Sequence, residues 1–144
     1  MDDPDDFDLA LFLPYQLAVA ASRVSRAFAE RYREEFGLTI PEWRVLANLS
    51  RAGSVSVREI HARVDMDKSK VSRAASRLEQ AGLIEKREHE VDRRLVDMRL
   101  TDAGRALVER IVPIARAYQD ELEERLGADQ TALRQALATL MEGP

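Results

Sequence analysis

Residues 67–80 combine side chains that suit both a phosphate group and the edge of a base. No acidic residue lies between Asp67 and Glu79. The polar positions of this stretch are Ser69, Lys70, Ser72, Arg73, Ser76 and Arg77. Serine hydroxyls fit close to a groove floor, whereas arginine can bind guanine through two hydrogen bonds and lysine can neutralise phosphate. The pattern favours a nucleic-acid contact, and the alternative is a solvated helix face.

The same stretch has the periodicity of an amphipathic helix. Asp67 is a suitable N-cap and Gly82 a suitable C-terminal stop. The apolar stripe consists of Val71, Ala74, Ala75 and Leu78. The cationic and hydroxyl side chains therefore belong to the opposite, outward face.

The segments around this helix indicate a larger DNA-binding unit. A short helix precedes it, because Ser56 and Glu59 have the spacing of a capping box. Two predicted strands follow at residues 83–87 and 95–100, with a charged tip at residues 89–94. A helix, a turn, a second helix and a hairpin are the order of a winged helix-turn-helix, in which Arg93 and Arg94 could reach a minor groove.

Long amphipathic helices flank this central region. One runs to Gly37 from a start near residues 11–13, and Thr39 and Pro41 open the next helix. Thr101 caps a later helix that Pro113 should bend, and a last helix carries Leu133, Leu137, Leu140 and Met141. The apolar stripes within residues 9–36 and 107–141 exceed what one small lobe can cover, so we expect a homodimer.

Composition limits the alternatives. The chain has 144 residues, 45% of them hydrophobic, which suits one soluble domain. The net charge of -4 hides a basic centre, because residues 37–101 carry 13 cationic and 10 acidic side chains while both flanks are acidic. Without cysteine there is no disulfide or thiolate metal site.

No enzyme motif is present in the sequence. The six glycines are scattered along the sequence, which excludes a phosphate-binding glycine loop. His61 is expected on a helix surface and His89 in a loop, so neither is predicted to be a catalytic base. We therefore expect no catalytic activity, no metal and no cofactor. Five aspartates among the first eight residues argue against a targeting peptide, and a 14-residue uncharged run is too short to cross a membrane. The expected location is the cytoplasm.

The chain resembles the MarR family of bacterial winged-helix regulators. The resemblance includes residues 40–46, 67–73, 78–79 and 82–84, the motif Asp92-Arg93-Arg94 and the segment 100–104. It implies a mainly α fold: one domain over residues 1–144, with dimerisation helices at 9–36 and 102–142 around a winged helix-turn-helix lobe at 37–101 with a two-stranded β wing. It also implies that Asp92 pairs with an arginine to hold the wing, which leaves Arg94, or else Arg93, to enter the groove.

The resemblance also suggests a site for a small-molecule effector. Arg23 and Arg26 on the first helix, with Trp43 and Arg44 on the second, would suit an aromatic carboxylate. Alternatively, the two arginines of the first helix form ion pairs and Trp43 is a core residue.

These observations predict a sequence-specific, DNA-binding transcriptional regulator. The expected form is a homodimeric repressor that binds a pseudo-palindromic operator in double-stranded DNA and is released by a small anionic or aromatic ligand. The competing hypothesis is a winged helix that contacts only proteins.

Overall fold

The computed structural model describes residues 3–142, which form six α-helices and one small antiparallel sheet. The elements in chain order are α1 Leu13–Phe36, α2 Ile40–Ala52, β1 Ser54–Ser56, α3 Val57–Arg63, α4 Lys68–Gln80, β2 Ile84–Glu88, β3 Val96–Leu100, α5 Asp102–Leu126 and α6 Asp129–Met141. Short 3-10 turns at Pro4–Asp6 and Leu9–Leu11 precede α1. The chain forms two compact units that divide after Val108, within α5.

Side-chain caps fix where α2, α3, α4 and α5 begin. Thr39, Ser56, Asp67 and Thr101 each accept a hydrogen bond from a backbone amide three residues later. Each bond satisfies an amide that has no partner inside the helix. All four predicted helix starts are therefore confirmed.

The capping box at Ser56 is only half formed. The Ser56 hydroxyl accepts from the Glu59 amide at 3.1 Å, as predicted. The Glu59 carboxylate does not make the reciprocal bond and instead lies 3.6 Å from Arg63, one turn further along α3. An i,i+4 pair on an exposed helix face competes with the backbone for this carboxylate.

Helix α1 has the predicted ends. It begins at Leu13 with Pro14 in its first turn, where a missing amide breaks no helical hydrogen bond. It ends at Gly37, whose φ of 67° is left-handed and suits glycine.

The sheet has one more strand than the sequence predicted. Strands β2 and β3 form the expected antiparallel hairpin, but β1 also pairs with β3, so the order is β1-β3-β2. Val55 of β1 lies opposite Met98, and both side chains are buried. The predicted two-stranded wing is confirmed as β2 and β3, whereas β1 was not predicted because three residues are too few to show a periodicity of two.

The core of the first unit lies between the helices α2, α3 and α4 and the inner face of the sheet. Its largest fully buried side chains include Leu46, Leu49, Ile60, Leu78, Ile84 and Met98. This packing fixes α4 by its apolar face and holds the β2–β3 hairpin beside it.

The second unit contains the remainder of α5 and the whole of α6. Arg134 of α6 donates a hydrogen bond to Glu123 of α5 at 2.9 Å. Helix α5 continues through Pro113 without interruption, and the bend expected there stays a prediction. None of the described helices is long and apolar enough to cross a membrane.

Candidate nucleic-acid interface

Helix α4 separates its apolar and polar residues onto two faces, as predicted. Val71, Ala74, Ala75 and Leu78 are buried. Five of the predicted contact residues are exposed together: Ser69, Lys70, Ser72, Arg73 and Ser76. Within residues 3–142, Arg73 makes no hydrogen bond or ion pair that would occupy its guanidinium. The helix thus presents a cationic, hydroxyl-rich face to solvent.

The sixth predicted residue, Arg77, has a partner inside the protein. Its Nη1 lies 3.2 Å from Oε1 of Glu42, whose side chain is only 9% exposed. The Thr39 hydroxyl donates to the same carboxylate oxygen at 3.0 Å. A buried carboxylate is costly without such partners. Arg77 therefore fixes the end of α4 against the start of α2, a contact that the sequence analysis missed.

The loop between β2 and β3, which we call the wing tip (residues 89–95), is held by Asp92. Its Oδ1 accepts from the backbone amide and the Nε of Arg94, and its Oδ2 accepts from Nη2 of Arg94, each at 3.1 Å. Of the two alternatives, Arg93 is thus the arginine left outside the pair, and the one paired with Asp92 is Arg94. Its side chain is nevertheless 89% exposed. Arg93 is exposed and has no ion pair among the described residues.

His89 closes the wing tip from the other side. Its Nδ1 accepts from the amides of Val91 and Asp92 at 3.2 and 3.0 Å, and its Nε2 lies 3.8 Å from the Asp97 carboxylate. From the sequence alone, His89 is expected to be an isolated loop residue. Its structural role depends on backbone amides whose direction no sequence pattern reveals.

The pair of Asp92 and Arg94 gives a testable pH dependence. The hydrogen bonds from Arg94 lower the pKa of Asp92 below its ordinary value of 3.8. The stabilisation is therefore fully present above pH 3.8 and is lost as the pH falls through the lowered pKa. In Arg94→Ala we expect the pKa of Asp92 to rise, as measured by carboxyl carbon shifts in an NMR titration.

Arg93→Ala is the matched control for this titration. It removes a neighbouring arginine that makes no bond to Asp92, so the pKa of Asp92 should stay where it is in the original protein. Equal shifts in the two variants would show that general charge, rather than the specific pair, sets the pKa.

A cleft of about 410 Å³ lies between α3, α4 and the hairpin formed by β2 and β3, which we call the wing hairpin. Arg58, Lys68, Lys86 and Arg94 line it together with Ser72. None of Arg58, Lys68 and Lys86 is among the contact residues predicted from the sequence. These three residues come from separate elements, and only the fold brings them to one cleft.

The predicted effector residues lie on α1 and α2. Arg23, Arg26 and Arg44 are exposed, and the Nε of Arg26 donates to the Ser22 carbonyl at 3.4 Å. Trp43 is partly exposed, and its ring centroid lies 5.7 Å from that of Phe28. The structure thus places the indole in an aromatic cluster at the junction of α1 and α2.

Tyr32 completes this cluster and was missed by the sequence analysis. Its ring centroid lies 4.8 Å from that of Phe28 and 6.1 Å from that of Trp43. Burial raises the pKa of Tyr32, against the opposing effect of Arg33 and Arg44. Its hydroxyl is buried and has no hydrogen-bond partner among the described residues, which is uncommon for a tyrosine.

Comparison with known proteins gives consistent results. A sequence model of the MarR family matches residues 36–95. The transcriptional repressor MdtR of Bacillus subtilis is 42% identical over 71 residues, an alignment that spans 49% of this chain and about half (46%) of MdtR.

Three solved structures are similar over nearly the whole chain. The MarR family transcriptional regulator SPO1453 of Silicibacter pomeroyi is 31% identical with a TM-score of 0.78, and the alignment covers 94% of this chain and 99% of that one. The repressor CouR, solved on a 23-mer DNA duplex, is 30% identical with a TM-score of 0.81, at 92% and 94% coverage. The third is BpsR of Bordetella bronchiseptica, a protein whose DNA binding is regulated by 6-hydroxynicotinic acid. It is 25% identical with a TM-score of 0.86, and the alignment covers 96% of this chain and 99% of that one. The fold, the sequence match and the arrangement of α4 and its wing together establish that this chain belongs to the MarR family of winged-helix transcriptional regulators.

Proposed function

We propose that the protein is a homodimeric, sequence-specific repressor that places α4 in the major groove of its operator and the wing tip in the adjacent minor groove. The observation that carries this proposal is the exposed face of α4, where Arg73 and the serines have no competing partners within the described residues. A helix held mainly by its opposite, apolar face, with Arg77 tied to Glu42 near its end, can enter a groove without losing its packing. The similarity to CouR, which was solved on DNA, supports this assignment.

The dimer is proposed from apolar residues that the single chain leaves exposed. Leu133, Leu137 and Leu140 of α6 are 40%, 37% and 52% exposed and recur at helical spacing. The N-terminal segment before α1 also exposes Phe7, Leu9 and Leu11. Apolar stripes of this length favour a second copy as the covering surface, since most soluble homo-oligomers are symmetric dimers.

The proposed effector is a small aromatic carboxylate that binds near Trp43. The exposed guanidinium of Arg44, with Arg23 and Arg26 on α1, could pair with a carboxylate. The unpartnered hydroxyl of Tyr32 offers a hydrogen bond beside the same aromatic cluster. BpsR, which responds to a heteroaromatic acid, supports this chemical class.

A mobility-shift assay with the DNA upstream of the protein's own gene tests the proposal. We expect a saturable shift that survives an excess of unrelated competitor DNA and is weakened by an aromatic carboxylate. A winged helix that contacts only proteins would give no such shift.

Arg73 and Lys70 should affect binding in different ways. Arg73→Ala should cost about 1 to 3 kcal/mol in specific binding and relax the preference at one base position, whereas Lys70→Ala should weaken binding to all sequences similarly. Affinities for the operator and for single-base variants of it would measure both effects.

Thermal melts separate contact from structure in this experiment. Neither Arg73 nor Lys70 packs in the core, so both variants should have the melting temperature of the original protein. Arg77→Ala is the contrasting variant, because it leaves the Glu42 carboxylate without its cation and should lower the melting temperature. Operator affinity that is unchanged in Arg73→Ala would remove Arg73 from the contact surface.

A further inference from the structure

The cleft between α4 and the wing hairpin has an unusual electrostatic composition. Arg58, Lys68, Lys86 and Arg94 line it, and no carboxylate does. Two of these cations have acidic partners, since Lys86 lies 3.7 Å from Glu79 and Arg94 pairs with Asp92. Arg58 and Lys68 make no ion pair within the described part of the chain, although Arg58 lies near enough to Asp92 to help lower the pKa of that carboxyl. The cleft therefore carries uncompensated positive charge.

Protein stability does not account for the position of Lys68. It is the first residue of α4, and the first turn of that helix contains no acidic residue. A cation there opposes the helix dipole, which makes a small unfavourable contribution to folding. Arg58 is also exposed at the start of α3. A binding role gives a reason for both placements that the helix dipole does not give.

The geometry of double-stranded DNA indicates which group would occupy the cleft. One sugar-phosphate strand separates each major groove from the adjacent minor groove. A protein that inserts α4 into one groove and the wing tip into the next must straddle that strand, and the space between the two inserted elements is this cleft. Its volume of about 410 Å³ exceeds the roughly 30 Å³ occupied by one water molecule many times over, so a phosphodiester fits with part of its hydration.

We propose that this cleft is a phosphate site, in which Arg58 and Lys68 clamp the DNA backbone strand that runs between the recognition helix α4 and the wing. Ser72 lies in the same cleft and supplies a hydroxyl donor for a phosphate oxygen. Lys86 and Arg94 add positive charge while they remain tied to Glu79 and Asp92. The inference rests on the proposed DNA binding and adds residues to it that read the backbone rather than the bases.

The test is a salt titration of DNA affinity for Arg58→Gln, Lys68→Gln and the double variant, on the operator and on an unrelated duplex. Each lost phosphate contact should reduce the steepness of the plot of log K against log salt by about 0.9. When salt is raised from roughly 50 to 200 mM, the loss of affinity should therefore be about tenfold smaller for the double variant than for the original protein. Affinity should fall by the same factor on both duplexes, because a backbone contact carries no sequence information.

Arg51→Gln is the matched control. Arg51 is exposed on α2, does not line the cleft, and loses the same charge on substitution. Its salt slope should stay within error of the original. An equal effect of Arg51→Gln would overturn the proposal in favour of a general charge effect, and so would an unchanged slope in the double variant.

Two further outcomes would also overturn the proposal. A change in the ratio of operator to unrelated-duplex affinity would assign Arg58 or Lys68 to base contact. Binding of inorganic phosphate in the absence of DNA, lost in the double variant while DNA affinity stays unchanged, would assign the cleft to a free anion. If the original protein itself fails to give a saturable shift, the proposed function fails; if it binds DNA and the variants match it, only the cleft assignment fails.

Discussion

Gly104→Ala should destabilise the protein by about 3 kcal/mol and lower its melting temperature by roughly 10 °C. A Cβ at this position would lie 2.0 Å from the backbone carbonyl oxygen of Leu83 and 3.1 Å from the carbonyl carbon. The carbonyl cannot move aside easily, because it accepts the amide of Thr101 at 3.1 Å. Alanine has a higher helix propensity than glycine by about 1 kcal/mol, and the steric cost of the added Cβ must exceed this gain before the protein is destabilised.

Thermal or urea unfolding measures this loss, and Ala103→Gly provides the control. It removes a Cβ from the neighbouring exposed position of the same helical turn and should cost no more than about 1 kcal/mol. A Gly104→Ala variant as stable as the original protein would mean that the start of α5 does not approach Leu83 this closely.

Gly104 also shows what a sequence motif conceals. The segment 100–104 resembles the MarR family in part through this glycine, yet the sequence gives no reason for it. The reason is a contact across 21 residues of chain, between the first turn of α5 and the segment before β2. Only the folded structure shows that a hydrogen atom is all that fits.

Local signals in the sequence predicted the elements well. The caps at Thr39, Ser56, Asp67 and Thr101 and the stop at Gly37 involve groups within four residues of one another, so their spacing is visible in the sequence. The buried face of α4 was equally predictable, because a periodicity of 3.6 over thirteen residues repeats several times.

Contacts between distant residues were not predictable in this way. Glu42 and Arg77 are 35 residues apart, and each looks like an ordinary surface charge until α2 packs on α4. Strand β1 is recognisable only by its pairing with β3. The cleft likewise combines Arg58, Lys68 and Lys86 from three elements. Sequence reasoning therefore identified the helix that presents the candidate site but missed the side chains that brace it.

The charged variant Leu137→Glu should convert the proposed dimer to a monomer and abolish tight operator binding. Leu137 lies in the middle of the apolar stripe of α6, between Leu133 and Leu140, and the single chain does not bury any residue of this helix. A carboxylate placed without a partner in a closed interface costs about 3 to 5 kcal/mol, which corresponds to a loss of roughly a hundredfold to several thousandfold in dimer affinity. Each monomer would then bind one half-site of the operator independently, without the added affinity of a linked second copy.

Sedimentation velocity and operator titration, run on the same samples, measure the two consequences. Gln135→Glu is the control, since it adds the same charge to the opposite side of α6, two residues from Leu137. It should remain a dimer of twice the 16.3 kDa chain mass and bind DNA with little change beyond the added repulsion. A dimeric Leu137→Glu with the operator affinity of the control would place the interface elsewhere. A monomer that still bound the full operator tightly would separate DNA recognition from dimerisation, and would contradict the proposal that two copies of α4 read a pseudo-palindromic site together.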